Sequence, residues 1–177
     1  MKRIFLSGRS GSGKTVALRA LEDQGFYCVD NIPINLIPEL LNQTEEKYPE
    51  LAIGVDARNI PASDEEFDKV MKHLQGKGKQ FQVIFIDASD TTLLKRFSET
   101  RRRHPLTAEG LSLAEAIAVE KQRLEPITRY AQLVIDTTTK SPHELCETIV
   151  NRVMGDNETQ ISLLFKSFGF KHGAPTD

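Results

Sequence analysis

Gly8-Arg9-Ser10-Gly11-Ser12-Gly13-Lys14-Thr15 is the stretch whose reading decides the fold. It fits G-x-x-x-x-G-K-[ST], in which a glycine-rich loop joins a strand to a helix and its backbone N–H groups cradle phosphates. The glycines let those N–H groups turn inward and line an anion nest. The positive end of the next helix's dipole faces the same point. In this pattern Lys14 reaches the β- and γ-phosphates and the Thr15 hydroxyl holds Mg²⁺. The flanks agree with the motif. Ile4-Phe5-Leu6 is an apolar run suited to a buried parallel strand. Val16, Ala17, Leu18, Ala20 and Leu21 supply a helical apolar face that Gly25 ends. All eight residues of the loop are therefore expected at the polyphosphate of a nucleotide. The bland alternative, a glycine-rich turn that fits by chance, does not account for the strand and helix around it.

Outward from the loop, strand and helix signals alternate. Strands are predicted near 2–7, 26–29, 51–56, 81–87 and 132–136. Helices are predicted near 14–24, 34–47, 63–75, 90–102, 112–130 and 141–154. This alternation implies an α/β fold, a P-loop NTPase-type parallel sheet with helices on both faces. Helix starts have local reasons: Ser63 with Glu66, Ser112 with Glu115, and Ser141-Pro142 with Glu144 all read as capping boxes. Gly76-Lys77-Gly78-Lys79 reads as a turn before the fourth strand. Residues 1–155 make one nucleotide-binding domain. Residues 156–177, with the strand-like run Gln160 to Phe165 and a Gly- and Pro-containing end, read as a connector and the start of a further domain.

The composition sets bounds. A chain of 177 residues that is 39% apolar and 27% charged is globular and can bury a core. Its formal net charge of −2 gives no global attraction to nucleic acid. Cys28 and Cys146 lack metal-type spacing and read as reduced core thiols of a cytoplasmic protein. No signal peptide precedes the first strand, and no apolar run approaches the roughly 20 residues of a membrane span; no membrane partner is expected.

Four predicted strands end in an acid: Asp30, Asp56, Asp87 and Asp136. Any one of them can simply cap the following turn. A P-loop protein also needs a second acid that orients Mg²⁺ from a strand beside the loop's own. Asp56 is the first choice, Asp87 the second, and Asp30 is placed to face an acceptor or the attacking water. Arg58 and Asn59 offer a guanidinium and an amide for a base or a second phosphate, or else belong to a surface loop. Arg101-Arg102-Arg103-His104-Pro105 is the densest basic cluster. Cations suit a helix end for dipole reasons alone. As part of a lid reaching Gly110, Arg102 would instead stabilise charge on a transferring γ-phosphate, with Lys14 and Asp56 as its catalytic partners. RNA contact is a third reading, without the interleaved aromatics that stack bases. His104, before a proline, reads as a turn residue.

The P-loop, the Asp-containing loop after the third strand and the Arg-rich segment before a Val-Ile-Asp-Thr strand resemble nucleoside-monophosphate kinases. A closer resemblance runs through Gly8 to Asp23, Gly25-Phe26-Tyr27-Cys28-Val29-Asp30-Asn31, Asp56-Ala57-Arg58-Asn59, Thr100 to Leu106 and Ser167 to Gly173. These blocks resemble the RapZ/YvcJ family of bacterial P-loop proteins over essentially the whole chain. The resemblance implies binding and weak hydrolysis of ATP and GTP, with ATP at Gly8 to Thr15 and GTP at Asp56-Ala57-Arg58-Asn59. Ala57 stands where the family often has Val, and Thr15 in place of Ser keeps the metal-binding hydroxyl. In enteric bacteria the RapZ branch is an RNase adapter that presents small regulatory RNA to RNase E and tunes aminosugar metabolism. A second domain with a basic tail carries those contacts in the family, and this chain is expected to be the domain before it. Three functions stay open at this point: a regulatory ATPase/GTPase domain, a small-molecule or nucleotide kinase, and a sensor that binds without turnover. Oligomeric state is open too, a homo-oligomer among the alternatives.

Overall fold

The computed structural model describes residues 2–44, 46–61, 63–76 and 81–155. Residues 77–79 of the expected turn and the expected connector at 156–177 lie outside the described residues. Five strands, β1 (Lys2–Gly8), β2 (Tyr27–Val29), β3 (Glu50–Val55), β4 (Gln82–Asp87) and β5 (Leu133–Asp136), form one sheet in the order β2-β3-β1-β4-β5. Every pairing is parallel. The helices are α1 (Lys14–Asp23), α2 (Ile37–Thr44), α3 (Asp64–Gly76), α4 (Asp90–Thr100), α5 (Leu113–Thr128) and α6 (Pro142–Met154). The α/β class expected from the alternation is the one observed.

Side chains alternate across a strand, and that parity divides the core in two. Phe5, Leu51, Ile53, Val55, Val83 and Phe85 face one layer, where they meet Ile37 and Leu41 of α2, Phe67 and Met71 of α3, and Leu124 and Ile127 of α5. Ile4, Leu6, Ala52, Ile84 and Ile86 face the other, against Leu18 and Leu21 of α1 and Leu145 and Ile149 of α6. Both faces are covered, which is why the strands read as continuous apolar runs rather than alternating ones.

The second helix is shorter than expected. Pro38 has no N–H to give the Ile34 carbonyl four residues back. Ile37 serves that carbonyl instead, so residues 34–36 form a tighter 3₁₀ turn and α2 starts only at Ile37. The capping boxes at Ser112/Glu115 and Ser141/Glu144 are present in both directions. At the start of α3 the Glu66 N–H bonds the Ser63 carbonyl at 3.2 Å.

Because all strands are parallel, all carboxyl ends share one edge. Gly8, Asp30, Asp56, Asp87 and Asp136 therefore gather there, at or just beyond the ends of their strands. β1 sits between β3 and β4, where the chain changes direction across the sheet, the place where open α/β sheets bind ligands.

Candidate functional site

Residues 8–15 make the strand–loop–helix turn expected of them. Gly8 passes so close to the Ile86 carbonyl oxygen that any Cβ would collide with it. Gly13, with φ +113°, caps α1 in a conformation that L side chains rarely adopt, and a Cβ there would lie 2.6 Å from Leu145 Cδ2. The first helical bond runs from Ala17 N–H to the Gly13 carbonyl at 3.0 Å. The N–H groups of Lys14, Thr15 and Val16 thus have no acceptor within the helix and point out of its positive end. Thr15 is exposed, and Lys14 Nζ pairs with Asp30 Oδ1.

Not all eight loop residues face that opening. Arg9, expected at the phosphates, is 2% exposed and turned inward. Its N–H bonds the Ile86 carbonyl at 3.2 Å, and its guanidinium pairs with Asp90 at 2.6 Å and Asp87 at 3.4 Å and donates to the Ala88 and Ile117 carbonyls. Arg9 fastens the loop to β4, α4 and α5. Ser10 gives both its N–H (2.9 Å) and its hydroxyl (2.6 Å) to Glu120 of α5. The Ser12 N–H bonds the Arg9 carbonyl at 3.0 Å. From the other side, Arg96 of α4 donates to the Gly11 carbonyl at 3.0 Å and to Thr137, whose hydroxyl donates to the Ser12 carbonyl at 2.7 Å.

Glu120, Arg96 and Thr137 were missed in the sequence. Glu120 did leave a signal, a charge on the apolar stripe of α5 with Ala116, Ile117, Leu124 and Ile127. Arg96 and Thr137 left none, because their contacts span 85 and 125 residues of chain.

The acids at the strand ends each have a basic or local partner. Asp56 caps the 3₁₀ turn Ala57–Asn59 by accepting the Arg58 N–H at 2.9 Å. It also takes the Arg58 guanidinium at 2.6 Å, a bond that holds the Arg58 proton more tightly than usual. Asp87 pairs with Arg9. Asp136 accepts the Thr138 N–H and hydroxyl, which lowers its carboxyl below the ordinary range. Asn31, with φ +60°, turns its amide oxygen to Arg58 Nη2 (3.3 Å) and Asn59 Nδ2 (2.6 Å). A continuous polar chain therefore runs Lys14–Asp30–Asn31–Arg58/Asn59, joining the P-loop to the Asp56–Asn59 motif. A cavity of about 500 Å³ opens beyond Arg58, lined also by Ile60, Pro61, Asp64, Gln122 and Arg123. Arg101, Arg102 and Arg103 are exposed beyond the end of α4, and His104 is buried as the cap of the 3₁₀ turn Pro105–Glu109, the turn role expected of it.

With this geometry the comparisons agree. Residues 1–157 match the family described as the RapZ-like N-terminal domain. The chain belongs to that family. A nucleotide-binding protein of Aeromonas hydrophila is 50% identical over all of this chain and 62% of its own length. The RNase adapter protein RapZ of Klebsiella oxytoca is 48% identical, again over all of this chain and 62% of its own length. The chain thus spans less than two thirds of these relatives. Among solved structures, shikimate kinase of Bacteroides thetaiotaomicron aligns with a TM-score of 0.52 at 18% identity, over 86% of this chain and 96% of that one. That likeness is one of fold, and it agrees with the nucleoside-monophosphate-kinase-like architecture expected from the motifs. Among the described residues no helix is long and apolar enough to cross a membrane.

Proposed function

We propose that this chain is the nucleotide-binding domain of an RNase adapter-type regulatory protein of the cytoplasm, binding ATP and GTP with Mg²⁺ and hydrolysing them slowly. The observation that carries the nucleotide-binding reading is the P-loop itself: a glycine turn too tight for side chains, opening onto a helix N-terminus with Lys14 at its rim; the adapter-type role is supported by the likeness to RNase adapter relatives. Such a cradle fits a polyphosphate, because it offers N–H donors and a cation and approaches the ligand with backbone alone. ATP is assigned to Gly8 to Thr15 and GTP to Asp56-Ala57-Arg58-Asn59, as two parts of one connected site. Entry of a phosphate would draw Lys14 from Asp30 and free that carboxylate to face the attacking water. Thr15 and Asp56 are the proposed metal-side residues. Asp56 is held by Arg58, so its part is to orient the ion's water shell rather than to bind the ion directly. Bound Mg²⁺ would neutralise charge on the phosphate oxygens. Arg102 is the proposed lid cation. Small regulatory RNA, RNase E and the link to aminosugar metabolism would be engaged through the rest of the longer protein.

The cavity beside Arg58 favours one second reading, a kinase in which that cavity holds a small acceptor. Following labelled γ-phosphate separates the two. Purified protein is incubated with Mg²⁺ and ATP or GTP, with and without a panel of nucleoside monophosphates and aminosugars, and Lys14→Ala is the blank. Phosphate released to water regardless of the panel supports the regulatory NTPase. A new phosphorylated product makes the chain a kinase, and binding without turnover makes it a sensor.

A further inference from the structure

Glu120 is a carboxylate inside a core. It is 1% exposed on the apolar stripe of α5. A buried carboxylate is tolerable only when donors fill its lone pairs, and the donors here come from two distant segments. Ser10 of the P-loop supplies two, at 2.9 and 2.6 Å. His104 supplies the third from Nε2 at 3.1 Å. The role of each ring nitrogen follows from its neighbours: the Leu106 N–H donates to Nδ1 at 3.2 Å, so Nδ1 carries the lone pair and Nε2 the proton. The same ring packs on Phe97 of α4, centroids 5.1 Å apart. His104 is thus the fixed root of the exposed Arg101–Arg103 segment, and Glu120 ties that root to the third residue of the P-loop.

We propose that Glu120 is a positioning residue that couples the P-loop to the arginine segment through Ser10 and His104. The physical basis is shared donors. Any ligand that draws the Ser10 N–H or hydroxyl toward itself strips donors from a buried charge, and the remaining donor, His104, must adjust or the loop must resist. The occupancy of the loop and the placing of Arg101–Arg103 are then linked, with the linkage reciprocal. The ligand arm of this proposal rests on the nucleotide-binding reading. The coupling itself exists without ligand and is testable without it.

Amide hydrogen exchange on the whole 177-residue chain, followed by NMR, tests it. Without nucleotide, Ser10→Ala should speed exchange of the Leu106 amide, and His104→Gln that of the Ser10 amide, each by about tenfold. The Phe5 amide in β1, which reports global opening, should stay unchanged. In a Glu120→Gln background both cross-effects should vanish. Cross-effects that are absent, that survive Glu120→Gln, or that are matched at Phe5 overturn the proposal. If Glu120→Gln does not fold, the Ser10 and His104 variants decide it alone. With Mg-ADP as probe, the wild-type Leu106 amide should change its exchange on binding, whereas Glu120→Gln should bind within about threefold and leave it unmoved. A Leu106 response retained in Glu120→Gln contradicts the coupling. Absence of ADP binding to wild type would sink the nucleotide reading, while the ligand-free arm would still decide the coupling.

Discussion

The P-loop and the Asp30–Asn59 polar cluster lie side by side on one sheet edge and are held to different degrees. The loop is fixed by close backbone approach and by buried side chains: Gly8 and Gly13 leave no room for a Cβ, and buried Arg9 and Glu120 clamp it from below. The cluster has backbone bonds from the Asn31 N–H to the Gly54 carbonyl (2.9 Å) and from the Asn59 N–H to the Asp56 carbonyl (3.0 Å), but its cross-links are made by side chains, with Asp30, Asn31 and Arg58 exposed. A site built this way has a rigid half that receives phosphate and a half whose bonds can be exchanged for those of a ligand. Asp30 shows the exchange most directly, because its present partner, Lys14, is the residue the motif assigns to the phosphates.

The largest effect should come from Lys14→Ala. Triphosphate affinity should fall at least ~100-fold and hydrolysis should vanish, since a charge-assisted contact to phosphate is lost. Melting temperature should fall by only about 2–4 °C, because the largely buried side chain gives up a single ion pair, to the half-exposed Asp30. Loss of fold instead of loss of binding would place Lys14 in the scaffold.

Two glycine substitutions sharpen the contrast. Gly8→Ala drives a Cβ into the backbone oxygen of Ile86 and should cost about 2–4 kcal/mol in a urea titration. Gly54→Ala drives a Cβ toward the Asp30 carboxylate and Leu18 Cδ1, side-chain atoms rather than backbone. It should cost only about 1 kcal/mol while separating Asp30 from Lys14. Equal costs would show that the two halves are equally rigid.

Asp56→Asn should spare nucleotide affinity within a few-fold and slow turnover by roughly tenfold or more, as expected of a group acting through the metal's waters. If Asp56→Asn is inert and Asp87→Asn stops turnover, the acid lies on β4. The smallest effect is that of Arg102→Glu, about three- to tenfold on turnover with binding retained. Unchanged turnover would assign Arg101–Arg103 to a solvated or partner-binding surface.

The contrast also explains what the sequence revealed. Gly8 to Thr15 was legible because its constraint is local, a spacing of glycines between an apolar strand and an apolar helix face. The order of elements was legible for the same reason, and Ser112/Glu115 and Ser141/Glu144 marked helix starts within four residues. The inward turn of Arg9 was not legible, because its partners Asp87, Asp90 and Ile117 come from distant segments. Nor was the bridge from Asn31 to Arg58 and Asn59, 27 and 28 residues away. Where a position is set by backbone geometry the sequence records it; where it is set by tertiary hydrogen bonds, only an anomaly such as a charge on an apolar stripe betrays it.

The central claim is that the P-loop and the Asp56–Asn59 motif belong to one site, joined through Asp30 and Asn31. Calorimetric titration of Mg-GTP into protein already saturated with Mg-ATP tests it most directly. The account predicts mutual exclusion or strongly weakened GTP binding, relieved when ATP is omitted. Full-affinity GTP binding at unit stoichiometry on top of bound ATP would contradict it and separate the two motifs into independent sites.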